Sequence, residues 1–73
     1  MRSFEEDIRK VMAMKEGEEC TVFWSAESGG LVERVNGGYN LFEVTQYGVN
    51  IFFEKFFEEG KEVEMVRLAY TWT

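Results

Sequence analysis

The chain has 73 residues, of which 45% are apolar, 16% aromatic and 30% charged, with no proline and no histidine. That is material for one small domain and too little for two, with a stability of ~4 to 11 kcal/mol on the usual ~0.05 to 0.15 kcal/mol per residue. The net charge of −6, with both signs spread along the chain, excludes a nucleic-acid backbone as the main partner, because phosphate binding needs clustered Lys and Arg.

The single Cys20 cannot close an internal disulfide, and small secreted domains usually carry several, so a reducing cytoplasm is the expected compartment. The start Met1-Arg2-Ser3-Phe4-Glu5-Glu6 lacks an apolar targeting core, and no run approaches the ~20 apolar residues of a membrane span.

In chain order, Ser3 and Glu6 form a Ser-x-x-Glu capping box, which opens a helix. Phe4, Ile8, Val11 and Met12 recur at helical spacing and gather into one stripe, and Gly17 is a suitable stop, so the helix is expected over Phe4 to Glu16. Its stripe needs a sheet. Thr21 to Ala26 is β-branched and aromatic and reads as the first strand, Ser28-Gly29-Gly30 as a turn, and Leu31 to Val35 as the second strand. Asn36-Gly37-Gly38 supplies the positive φ angles of a tight hairpin into Tyr39 to Thr45, and Gln46-Tyr47-Gly48 turns again.

Val49 to Thr73 supports two readings. In one, Val49, Ile51, Phe53 and Phe57 share one face of a strand, Phe52 and Phe56 share the other, Glu58-Glu59-Gly60 turns, and Lys61 to Tyr70 is a helix. In the other, residues 50–59 form a helix with a Phe52, Phe53, Phe56, Phe57 stripe, and 63–72 form a final strand. The first is favoured, because Glu62 to Ala69 is rich in helix formers and Val49 to Phe57 is not. Early carboxylates at Glu62 and Glu64 also suit a helix start. The expected architecture is an α+β domain: helix, three- or four-stranded antiparallel meander, helix. Both helices are expected on one sheet face, and the other face is left open.

Chemistry is mostly excluded. Without histidine and with one cysteine, no Ser-His-Asp, Cys-His or Cys/His zinc arrangement exists. Gly60-Lys61 is followed by Glu62, so no phosphate-binding loop is spelled. Glu18-Glu19 and Glu58-Glu59 lack the spacing of a calcium loop and read as solvated turn carboxylates. No cofactor, metal site or catalytic residue is expected. Trp24 and Trp72 read as packing residues. The acidic run Glu54, Glu58, Glu59, Glu62 and Glu64, beside the outward Phe52 and Phe56, is the one feature that reads as a partner-binding surface, with charge as rim and aromatics as core.

This order of elements, and the short pieces Ile8-Arg9, Arg34-Val35-Asn36 and Glu54-Lys55-Phe56, resemble small acidic inhibitor proteins of phages and mobile elements, of the anti-CRISPR type. The resemblance implies a surface that occupies the arginine-lined, nucleic-acid-reading site of a partner protein; it assigns no individual residue. Helix, strands and helix is also the order of double-stranded-RNA-binding domains, but those need a basic start to the second helix, where this chain has Gly60-Lys61-Glu62-Val63-Glu64. The expected function is a non-enzymatic protein-binding module with a basic partner, no direct nucleic acid and no membrane. The alternative is a homodimer or small assembly subunit that pairs through its open sheet face.

Overall fold

The computed structural model describes residues 3–23, 28–45 and 47–72, with the backbone alone at 49–53. The elements run α1 (Phe4–Met12), β1 (Glu19–Val22), β2 (Ser28–Val35), β3 (Gly38–Thr45), β4 (Gly48–Glu58) and α2 (Glu62–Ala69). The strands form one four-stranded antiparallel sheet in the order β1-β2-β3-β4, so the meander has four strands and the chain is α+β. The helix at 50–59 and strand at 63–72 do not occur: 48–58 is a strand and 62–69 a helix. Short-range helix propensity in the last segment, together with the β-rich Val49 to Phe57, decides that choice.

Ser3 caps α1 by accepting the Glu6 N–H at 3.2 Å. The helix stops at Met12, four residues short of the expected end. Gly17 does take a positive φ of 91°, but in a turn whose backbone is claimed by the sheet: its N–H donates to the Arg34 carbonyl at 2.9 Å, and the Arg34 N–H donates to the Glu18 carbonyl at 2.9 Å. Pairing with β2 thus competes with the last helical turn and wins.

β1 is shifted toward the N-terminus of the expected strand and ends at Val22; Trp24, Ser25 and Ala26 lie outside the described residues. Phe23 has a φ of 46°, uncommon for a bulky side chain and costing on the order of 1 to 3 kcal/mol. Its N–H is held by the Asp7 carboxylate at 2.9 Å. The same carboxylate oxygen accepts from the Tyr70 hydroxyl at 2.7 Å, and Lys10 lies 3.7 Å from the other oxygen. Asp7, 1% exposed, therefore ties α1, the end of β1 and the end of α2 together. The Tyr70 ring packs edge-on to Phe4 at 5.3 Å and against Phe23 at 4.8 Å.

Ser28-Gly29-Gly30, expected as a turn, is the first part of β2. The reason lies in packing: a Cβ on Gly30 would sit 2.9 Å from Val22 Cγ2 and 3.3 Å from both Ala69 Cβ and Leu41 Cδ1. Glycine is there because Val22, Leu41 and Ala69 close in on the strand and leave no room for a Cβ, and not to bend the chain. The core joins Val11 of α1, Met65, Val66 and Ala69 of α2, and Val22, Val32, Tyr39, Leu41 and Phe57 of the sheet. Ile8, Phe4 and Trp72 pack at its margin, whereas Met12, expected in the stripe, is 63% exposed. Both helices thus cover the sheet face that carries Val22, Val32, Tyr39, Leu41 and Phe57.

The β3–β4 pairing is interrupted. Phe42 pairs with Glu54 and Val44 with Val49, so two residues of advance on β3 correspond to five on β4. This odd excess reverses the alternation, and faces cannot be counted through β4 from Val49 to Phe57. The side chains of Val49, Ile51, Phe52 and Phe53, on which the expected strand faces partly rested, lie outside the described residues.

Candidate functional site: the open face of the sheet

From Glu54 to Glu58 the β3–β4 ladder is regular, and the faces follow from register. Glu54, Phe56 and Glu58 alternate onto the face away from the helices, Lys55 and Phe57 onto the covered face. Across the strands, Glu54 pairs with Phe42, Phe42 with Leu31 and Leu31 with Thr21. The neighbouring row is Phe56, Asn40, Glu33 and Glu19. A third row holds Glu58, Gly38 and Val35. The open face therefore carries Leu31 and Phe42 on its two central strands, Phe56 on the edge strand β4 between Glu54 and Glu58, and Glu19 and Glu33 on β1 and β2.

Phe56 is 50% exposed. Its ring lies over Gly38, where an added Cβ would stand 2.6 Å from Phe56 Cζ and 2.2 Å from the Phe57 carbonyl oxygen. Gly38 thus lets the aromatic ring lie on the sheet, a cross-strand aromatic–glycine contact that closes the backbone gap. Asn40 donates to Glu33 Oε1 at 3.3 Å. Glu19 stands directly opposite Glu33, a like-charge cross-strand pair that is unfavourable by itself.

The sheet's cations fall on the other side. Arg34 pairs with Tyr39 and Lys55 with Leu41 in the ladder, both on the covered face. The Arg34 guanidinium stacks on the Tyr39 ring at 4.7 Å, pairs with Glu59 at 3.1 Å and donates to the Gly38 carbonyl at 2.9 Å. Lys55 lies 5.2 Å from the Phe57 ring centroid. Among the described strand positions, the open face carries four Glu and no Lys or Arg.

The acidic run read from the sequence is consequently divided. Glu54 and Glu58 stand on the open face with Phe56, exposed and without an ion pair among the described residues. Glu59, though exposed, is engaged by Arg34. Glu62, the first residue of α2, accepts from the Tyr39 hydroxyl at 2.8 Å and from the Gly60 N–H at 3.1 Å. Burial works against its charge, but these hydrogen bonds and Arg34 outweigh it and hold the carboxyl below its ordinary 4.5. Burial, together with the hydrogen bond to Glu62 and that residue's charge, pushes Tyr39 up to about 12. Glu64 pairs with Lys61 at 3.5 Å in solvent. These three close the β4–α2 corner and do not join the open face.

Glu19, Leu31, Glu33 and Phe42 complete that face and were not singled out from the sequence. For Leu31, Glu33 and Phe42 the signal was present: a hairpin closed at Asn36-Gly37, with Gly37 at φ 83°, fixes the β2–β3 register. Glu19 joins through a pairing across residues 23–27, which no local turn signal specifies.

Among the described residues no group of His, Cys, Asp and Glu is arranged to hold a metal ion, and no helix is long and apolar enough to cross a membrane. Comparison with protein-family models, with curated proteins and with solved structures finds no match to this chain.

Proposed function

We propose that this protein is a non-enzymatic binding module that docks the open face of its sheet on a basic surface of another protein. The observation that carries the reading is the segregation of charge across the sheet: the described strand cations, Arg34 and the exposed Lys55, alternate onto the face that the helices cover, and the other face carries Leu31, Phe42 and Phe56 among four carboxylates. A half-exposed aromatic within a charged rim is the usual anatomy of a protein interface. A basic, nucleic-acid-reading surface of the kind occupied by small phage and mobile-element inhibitors is a partner of this chemistry. Cys20, whose thiol donates to Met14 Sδ at 3.3 Å, suits action in a reducing cytoplasm.

A second copy of the chain is the poorer occupant, because stacking two such faces sets carboxylates against carboxylates with no cation between them. The test compares two variants of equal net charge, Glu54→Gln/Glu58→Gln on the open face and Glu5→Gln/Glu6→Gln on the exposed side of α1. Titrated with oligolysine at low salt, the first is expected to bind about tenfold more weakly than the second, each of the two lost pairs contributing about 0.7 kcal/mol. Equal weakening would mean that net charge alone attracts the peptide. A sedimentation mass that rises with concentration would move the assignment to the homodimer.

A further inference from the structure

We infer that the open face is built to seat an arginine side chain of its partner, with the guanidinium lying on the Phe56 ring between the carboxylates of Glu54 and Glu58. This inference rests on the docking role proposed above and specifies its chemistry. Glu54 and Glu58 flank Phe56 on the same face of one strand, each about 7 Å away along it at ~3.3 Å per residue. The ring reaches over Gly38, where no Cβ stands in its way, and is 50% exposed. The site therefore offers a π-face and two anionic acceptors, the groups a planar, weakly hydrated guanidinium uses best.

The molecule supplies its own precedent on the covered side. There Arg34 lies over Tyr39 at 4.7 Å and pairs with Glu59 at 3.1 Å, a guanidinium between a ring and a carboxylate. Lys55 lies near Phe57 at 5.2 Å and Arg67 near Phe4 at 6.0 Å. Among the described residues Phe56 has a carboxylate on each side and no cation from its own chain over it. An ammonium could satisfy the charge, but only a guanidinium can stack on the ring and hydrogen-bond in its plane at the same time.

The experiment titrates the intact protein with oligoarginine and oligolysine peptides of equal length and at the same salt concentration, with the Phe56 ring protons followed by NMR. Oligoarginine is expected to bind about tenfold more tightly and to shift the ring protons, as stacking adds to charge pairing. Phe56→Leu should bring the two affinities together while leaving oligolysine unchanged. Should that variant fold poorly, Glu54→Gln/Glu58→Gln, at two exposed positions, is expected to lose the same preference. Equal affinities for the two peptides in the wild type, or a preference that survives Phe56→Leu, overturn the arginine seat and leave the docking face standing. Failure of both peptides to bind at low salt overturns the docking face and the seat with it.

Discussion

On the covered face of the sheet, Arg34 and Lys55 lie over the rings of Tyr39 and Phe57, and the Tyr39 hydroxyl is bonded to Glu62. On the open face, Glu19, Glu33, Glu54 and Glu58 stand around Leu31, Phe42 and Phe56 with no cation among the described strand positions. One set of strands thus carries two chemistries, and the difference separates what holds the domain together from what is left for a partner. The half-buried Arg34 and the buried Tyr39 of the covered side find their partners within the chain, as buried groups must. On the open side Asn40 bonds Glu33, whereas the exposed Glu54 and Glu58 have no ion pair among the described residues.

Truncating one leucine on each face is expected to separate the two most strongly. Leu41 is 0% exposed in the core, and Leu41→Ala is expected to cost about 2 to 5 kcal/mol, much of what a domain of this size has. Leu31→Ala, on the open face, should cost about 1 kcal/mol or less in the same urea titration. Similar losses at the two positions would mean that the open face is as covered as the other.

A smaller effect is expected at the Tyr39–Glu62 bond. The unfolded chain releases the Tyr39 proton near pH 10, and the folded chain keeps it to about 12. The unfolded state binds fewer protons in that window, so this contribution is full below about pH 10 and is lost as pH rises toward 12. Tyr39→Phe should lower stability by about 1 kcal/mol at neutral pH and make the alkaline decline shallower, read by urea titrations at about pH 9 and pH 11.5. An unchanged alkaline slope would break the claim that covered polar groups are internally matched.

Smallest is the relief of the like-charge pair. Glu19→Gln removes one charge opposite Glu33 and is expected to stabilise by a few tenths of a kcal/mol, raising the midpoint of thermal unfolding by about 1 to 3 °C. A lower midpoint would show that Glu19 has a stabilising partner of its own.

Much of the scaffold was legible locally. The Ser3 cap with its stripe, the glycine-closed hairpin at Asn36-Gly37 and the helix formers of Glu62 to Ala69 are each short-range signals, and each led to the element observed. The signals that misled were local too. Gly29-Gly30 looks like a turn because glycine permits one, but Gly30 lies in a strand where Ala69 approaches closely. Glu59 and Glu62 look free in a run of carboxylates, yet they are engaged by Arg34 and Tyr39, more than twenty residues away in sequence. Asp7 reads as one more acid in the first helical turn, whereas it receives the Phe23 N–H and the Tyr70 hydroxyl at the junction of three elements.

Sequence alone was enough for the α+β class, the order helix, antiparallel strands, helix, and the absence of histidine and of any disulfide within the chain. These follow from composition, and from signals that act within a turn or two of backbone. Which of the acidic residues share an outward face emerged only on folding. That depends on strand register and on which sheet face the helices cover, and both are set by packing between residues far apart in the chain.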